Sequence, residues 1–243
     1  MKTTIARETS SLRDKMIASG RYRPITEDEY RRLQREQHAK LALAEREKYK
    51  PDYARLGILE TEAGLTWSAV KPNVSDGIKG LEAIKPAYER GWGMVFLWGT
   101  WGQAKTLLGK IVTATAFRDG KRTAYANISS VLNDIRLAFD EREFKTTELL
   151  RRMDWWIERD VLFLDELDKA NGTPWAQEQI FILLDRRYQM AVREEALTII
   201  ASNSSTAELD GYLKSRLHDR RVSKIVELNG HDGRQVAPDE WRF

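Results

Sequence analysis

The chain has 243 residues, 42% hydrophobic and 32% charged, with 40 Lys and Arg against 37 Asp and Glu, a net charge of +3, and no cysteine. That composition excludes disulfide frameworks, thiolate metal sites and a cysteine nucleophile. No apolar run approaches the ~18 residues that cross a bilayer, and Met1–Glu8 lacks the apolar core of a signal peptide. A soluble cytoplasmic protein is expected, without a membrane partner and long enough for one large domain plus an extension.

The basic excess lies at the start. Residues 1–50 carry 13 Lys and Arg against 8 Asp and Glu, whereas the remainder carries 27 against 29. Residues 1–20 predict a short amphipathic helix, broken by Gly20-Arg21-Tyr22-Arg23-Pro24. Thr26, with Glu29 three residues on, predicts a capped second helix reaching about Tyr49, where Pro51 closes it. Only Tyr30, Leu33, Leu41 and Leu43 give that helix an apolar face. So thin a stripe suits a partner-binding arm better than a core element. Its charge suits an anionic partner, nucleic acid or an acidic protein face, or simply a solvated helix.

Residues 51–92 read as a connector and entry helix, with Ile78, Leu81, Ile84 and Tyr88 at helical spacing. A β/α body follows over residues 93–243. Strands are predicted at 94–98, 122–126, 161–165, 197–202 and 223–228. Helices are predicted at 105–117, 128–143, 146–157, 174–192 and 206–217. Thr173 caps the helix that starts with Pro174. Strands alternating with helices predict an α/β fold, a parallel sheet sandwiched by helices.

Two segments of the body carry chemistry. The apolar run Met94–Trp98 leads into Gly99-Thr100-Trp101-Gly102-Gln103-Ala104-Lys105-Thr106, a glycine-bearing loop that opens a helix. About sixty residues later, Val161-Leu162-Phe163-Leu164 ends in Asp165-Glu166. Together they look like the two halves of a nucleoside-triphosphate site. Loop and helix N–H groups hold phosphate oxygens, so Gly99, Gly102, Gln103, Ala104, Lys105 and Thr106 are the expected ATP-binding residues. Lys105 neutralises the β and γ phosphates, and Thr106 and Asp165 hold Mg²⁺. Glu166 polarises the attacking water. The loop departs from the usual pattern at Ala104, where glycine is standard. Its place at the loop-to-helix junction predicts a negative φ that alanine tolerates.

Further along, Thr198–Ser202 predicts a strand ending at Asn203. Strand C-termini line the ligand crevice of a parallel sheet, so Asn203 is placed to sit beside Glu166, unless it merely forms a turn. Two arginine clusters follow, Ser215-Arg216-Leu217-His218-Asp219-Arg220-Arg221 and Asp232-Gly233-Arg234. Arginine suits the charge that builds on a transferring phosphoryl group, and equally a solvated basic patch. His38, His218 and His231 have no metal-ligand spacing. Of the eight tryptophans, Trp98, Trp155 and Trp156 sit where core packing explains them better than base stacking. Trp101, within the loop, suits packing against a neighbour.

Taken in order, these pieces resemble the AAA+ ATPases of the DnaC/IstB type, the replicative helicase loaders and transposition helper ATPases. The residues that carry the resemblance, beside the two nucleotide motifs, are Leu184-Asp185-Arg186-Arg187-Tyr188, Ser202-Asn203, Ser215-Arg216-Leu217 and Asp232-Gly233-Arg234. It covers about residues 55–236 and not the arm. The resemblance implies that Asn203 is the sensor asparagine. It implies that Arg216 reaches into a neighbouring subunit's ATP site and that Arg234 contacts nucleotide in cis. It places an insertion that lines a single-stranded DNA channel over Ile128–Trp156, where Arg136, Arg142 and Lys145 are the DNA-contact candidates; ordinary solvated charge explains them equally well.

Three functions are compatible with these residues. One is an ATP-dependent helicase loader that self-assembles as a ring or spiral on single-stranded DNA and grips a replicative helicase through the arm. The second is a transposition helper ATPase acting on duplex DNA with a transposase. The third is a nucleotide-binding scaffold without hydrolysis, favoured by Ala104 and disfavoured by Glu166 and Arg216.

Overall fold

The computed structural model describes residues 52–71, 76–139, 145–170 and 173–233. All lie in the second of two units into which the chain divides, Met1–Pro51 and Asp52–Phe243. The arm helices expected over 1–20 and 26–49 fall outside the described residues.

Five strands form one parallel sheet: β1 (Gly93–Gly99), β2 (Thr123–Asn127), β3 (Val161–Asp165), β4 (Leu197–Ser202) and β5 (Ser223–Leu228). Their order is β2-β3-β4-β1-β5. The helices are α1 (Tyr53–Leu56), α2 (Gly77–Arg90), α3 (Lys105–Arg118), α4 (Ile128–Arg136), α5 (Lys145–Ile157), α6 (Pro174–Val192) and α7 (Gly211–Leu217). This is the expected α/β sandwich, and the reason is visible strand by strand. Successive side chains point to opposite faces, and both faces are covered. Met94, Phe96, Leu162, Leu164 and Ile200 pack with Ile128, Val131, Met153, Trp156 and Leu183 of α4, α5 and α6. Val95, Leu97, Val161, Phe163 and Ile199 pack with Ile84, Leu108, Ile111 and Val112 of α2 and α3. Each such buried side chain contributes ~1.5–3 kcal/mol. Continuous apolar runs, rather than alternation, are what a sheet buried on both faces requires.

The local signals act as read. Thr173 Oγ1 accepts from the Ala176 N–H at 3.2 Å and caps α6, and Asn127 Oδ1 caps α4 by accepting from Ser130 N at 2.8 Å. Two expected helices are shorter. The stretch 206–217 is a 3-10 turn, Thr206–Glu208, then an extended Leu209 and α7. Asp210 is the cause, because its carboxylate accepts from Tyr212 N at 2.8 Å and starts a new helix there. The stretch 128–143 leaves α-geometry after Arg136 and continues as a 3-10 turn to Phe139.

One buried charge ties the layers together. Arg187 of α6, in the motif noted above, is fully buried. It donates to Thr198 Oγ1 at 2.8 Å, Ile157 O at 2.6 Å and Leu197 O at 2.5 Å, and also to Arg159 O. It thereby satisfies carbonyls beside the N-terminal ends of β3 and β4, the edge of the sheet opposite the loops that follow the strands.

Candidate nucleotide site

The sheet order sets the site. β4 lies between β1 and β3, with Trp98 opposite Ser202 and Leu164 opposite Ile200. The loop after β1, the acidic end of β3 and Asn203 after β4 therefore emerge along one edge, at the C-terminal ends of the strands.

Lys105 opens α3 with only 8% of its surface exposed. Its ammonium donates to Gly99 O at 2.5 Å and Thr100 O at 2.8 Å, so the cation sits inside the curl of the loop. Thr106 Oγ1 donates to Asp165 Oδ2 at 2.7 Å, bringing together the two oxygens expected to hold Mg²⁺. Tyr125 on β2 donates its hydroxyl to the same Asp165 oxygen at 2.8 Å. Burial, and then the Asp165 carboxylate, push the Tyr125 phenol well above its ordinary range, so it stays a donor. The Glu166 N–H donates to Asp165 Oδ1 at 2.9 Å. An ammonium in the loop, and a hydroxyl meeting an acceptor-only carboxylate beneath it, are the donor set that a polyphosphate and a hard divalent cation require. The residues fit Mg²⁺–ATP.

Ala104 departs from the expectation. Its φ is +59° with ψ +15°, the left-handed region, not the negative φ predicted for it. The loop must reverse there to aim its N–H groups inward, and glycine does so without a Cβ penalty. Ala104→Gly is thus expected to raise stability by on the order of 0.5–1 kcal/mol, the left-handed cost less the extra entropy glycine gives the unfolded chain. Urea denaturation reads this directly, and a loss of stability would contradict the strain. Glu166 is the other non-glycine residue in this region next to the site, with φ +58°, so backbone strain is stored on both sides.

Gln103 was expected to bind ATP, yet its side chain is turned away and buried. Nε2 donates to Gly230 O at 2.7 Å and His231 O at 3.1 Å, while Oε1 accepts from Asp76 N at 3.3 Å. It staples the loop to the segment after β5 and to the start of α2, leaving its backbone as the part that can face phosphate. The Gly233 N–H reinforces this by donating to Gly102 O at 3.1 Å. Gly102 is required here: its φ is +76°, and a Cβ would fall 1.7 Å from Asp232 Oδ1. Arg234, one residue further on, lies outside the described residues.

The turn after β3, Leu167–Ala170, reaches both neighbours. Lys169 Nζ pairs with Glu166 Oε1 at 2.6 Å, in the open. Asp168 receives Asn203, with Asn203 N to Oδ1 at 2.8 Å and Nδ2 to Oδ2 at 3.0 Å. Asn203 is thus on the expected edge, and its hydrogen bonds go to Asp168. Burial raises the Asp168 carboxyl, but hydrogen bonds from Asn203, from its own backbone N–H and from Ser202 together hold the group below its usual range.

Arg216 does not project freely. Half-buried on α7, it lies between two rings of its own subunit, 4.6 Å from Tyr188 and 4.2 Å from Tyr212. It also donates to the Tyr212 hydroxyl and approaches Asp185 at 3.5 Å.

Of the DNA-contact candidates, Arg136 alone has a described side chain. Arg136 is exposed at the end of α4, with its guanidinium 5.2 Å from the Trp175 ring centre. Arg142 lies outside the described residues, and Lys145 is placed only as the first residue of α5. Trp156 is buried, and Trp98 and Trp155 pack against the core. Trp101, at 68% exposure, stands out from the loop.

Among solved structures, the chain is similar to a DNA replication initiation factor, at 21% identity over 68% of this chain and 49% of that one, with TM-score 0.57. It is similar to the replication initiator DnaA bound to AMPPCP and single-stranded DNA, at 21% identity, 67% and 49% coverage and TM-score 0.56. It is also similar to the DnaC helicase loader, at 17% identity, 70% and 99% coverage and TM-score 0.54. The chain spans about half the length of the two initiator structures. At these identities the likeness is one of fold. No curated protein matches the sequence. The profile of the ATPase family associated with various cellular activities (AAA) matches residues 95–225, a stretch holding the whole of the loop, the acidic strand end and Asn203, and with more than half of the chain matched, the chain belongs to that family.

Proposed function

We propose that this protein is an ATP-dependent helicase loader: a subunit that binds and slowly hydrolyses ATP, assembles with copies of itself on single-stranded DNA, and delivers a replicative helicase through its basic arm. The observation that carries the reading is the Thr106–Asp165 contact of 2.7 Å, which closes the phosphate loop onto the acidic strand end as a hydrolytic site requires. The loader role is supported by the likeness to the DnaC helicase loader, which extends over nearly all of that chain. DNA as partner is supported by the likeness to DnaA, solved with single-stranded DNA.

Each residue then has a task. The loop N–H groups and Lys105 hold the β and γ phosphates. Thr106 and Asp165 would hold Mg²⁺, which when bound supplies positive charge to offset that of the phosphates. Tyr125 and the Glu166 N–H fix the Asp165 carboxylate through their hydrogen bonds. Glu166 takes a proton from the attacking water, and Asn203 helps to orient that water. Arg216 leaves its tyrosines on assembly and enters the neighbouring site, so that hydrolysis depends on the assembly and acts as a release switch.

The test is loading itself. The full chain, a replicative helicase and circular single-stranded DNA are incubated with ATP, and helicase retained on the DNA is measured. ATP-dependent retention that is lost on deletion of residues 1–50 is expected. Retention equal without ATP, or capture of a transposase on duplex DNA instead, would overturn the loader reading.

A further inference from the structure

We propose that Asp168 is a positioning residue for hydrolysis: it dictates which end of the Asn203 amide faces the site. The inference rests on the proposed ATPase role of that site. Asn203 follows β4, between the phosphate loop after β1 and Glu166 after β3. A water approaching the γ phosphate there has two protons to place. Glu166 takes one, and a neighbouring acceptor is needed for the other if the lone pair is to point at phosphorus. An asparagine amide is an acceptor at one end and a donor at the other, so its orientation decides whether it helps.

The structure determines that orientation chemically. An ionised carboxylate only accepts hydrogen bonds. Asp168 Oδ1 accepts the Asn203 backbone N–H at 2.8 Å, and Oδ2 accepts Nδ2 at 3.0 Å. The nitrogen end is therefore committed to Asp168. Oδ1, the acceptor end, makes no hydrogen bond among the described residues and remains available to a water. Ser202 Oγ adds a longer contact of 3.4 Å to Asp168 Oδ1 and itself accepts from Ser204 N at 3.0 Å. The turn Leu167–Ala170 and the end of β4 are thereby held in one register. Asp168 acts through Asn203, which donates to both of its carboxylate oxygens.

Asp168→Asn isolates the effect. The two side chains have the same shape, and the amide oxygen can still accept the Asn203 backbone N–H. The new NH₂ then faces Asn203 Nδ2, donor against donor. The Asn203 amide must turn over, which presents a donor where the water needs an acceptor. Steady-state kcat, ATP affinity from equilibrium titration and melting temperature are measured for Asp168→Asn, Asn203→Ala and the double variant, with Glu166→Gln as the control. For Asp168→Asn, the expected result is kcat lower by about 10-fold or more with ATP affinity unchanged. The double variant should be no slower than Asn203→Ala alone, because both changes remove one function. A purely structural role would lower the melting temperature and weaken ATP binding as well. Wild-type kcat in Asp168→Asn, or losses that multiply in the double variant, would overturn the positioning role while leaving the ATPase reading intact. No ATP turnover by the unaltered chain would overturn the ATPase reading and this inference with it, whereas wild-type kcat in the Glu166→Gln control would remove only Glu166 from the chemistry.

Discussion

Glu166→Gln is expected to lower ATP hydrolysis by about 10²- to 10⁴-fold while leaving ATP bound. The side chain follows Asp165, the last residue of β3, on a left-handed backbone at φ +58°. Its carboxylate, unlike that of Asp165, is not committed to Thr106 and Tyr125. The amide keeps the shape but cannot take a proton. Its Lys169 contact is exposed and of the kind that contributes little to stability, so its loss should leave melting unchanged. The measurement is turnover beside equilibrium binding of a fluorescent ATP analogue. Turnover near the wild-type rate would remove Glu166 from the chemistry.

Arg216→Ala should lower turnover by about 10-fold or more, less than the ~10³–10⁵ an arginine supplied in trans can contribute to a fast enzyme. In the single subunit the guanidinium is held by Tyr188, Tyr212 and Asp185. On the proposed reading, those contacts are exchanged for phosphate contacts when a neighbour arrives. An isolated subunit should therefore be nearly idle, with activity rising steeply with protein concentration, and Arg216→Ala should flatten that rise. A variant that keeps the full concentration dependence would place Arg216 among ordinary surface charges.

Much of the body was legible because its signals are local. Runs such as Val161–Leu164 read as buried strands, Thr173-Pro174 marked a helix start, and the spacing from Gly99 to Thr106 specified a phosphate loop. What escaped depends on contacts distant in sequence. Asp168 meets Asn203 only because β3 and β4 are neighbours, and no periodicity marks an acid three residues beyond Asp165. Tyr125 looked like any aromatic in a strand until the β2–β3 register set Asn127 beside Asp165. Gln103 reads as part of a phosphate motif, and its burial against residues 230–231 appears only once the chain returns after β5. Ala104 was misread because helix entry suggests a negative φ, whereas the loop's reversal demands a positive one. The break before α7 had a readable signal, the cap Asp210 ahead of Gly211.

The central claim, that two subunits share each ATP site, is tested most directly by mixing two impaired variants. A Lys105→Ala subunit lacks the phosphate-loop cation but retains Arg216. An Arg216→Ala subunit retains a complete loop but lacks the arginine. Each is expected to hydrolyse ATP slowly alone. Mixed at equal concentration on single-stranded DNA, they should recover turnover, because one interface in the mixture pairs an intact loop with an intact arginine. No recovery, in a mixture shown by crosslinking to contain both subunits in one assembly, would contradict the shared site.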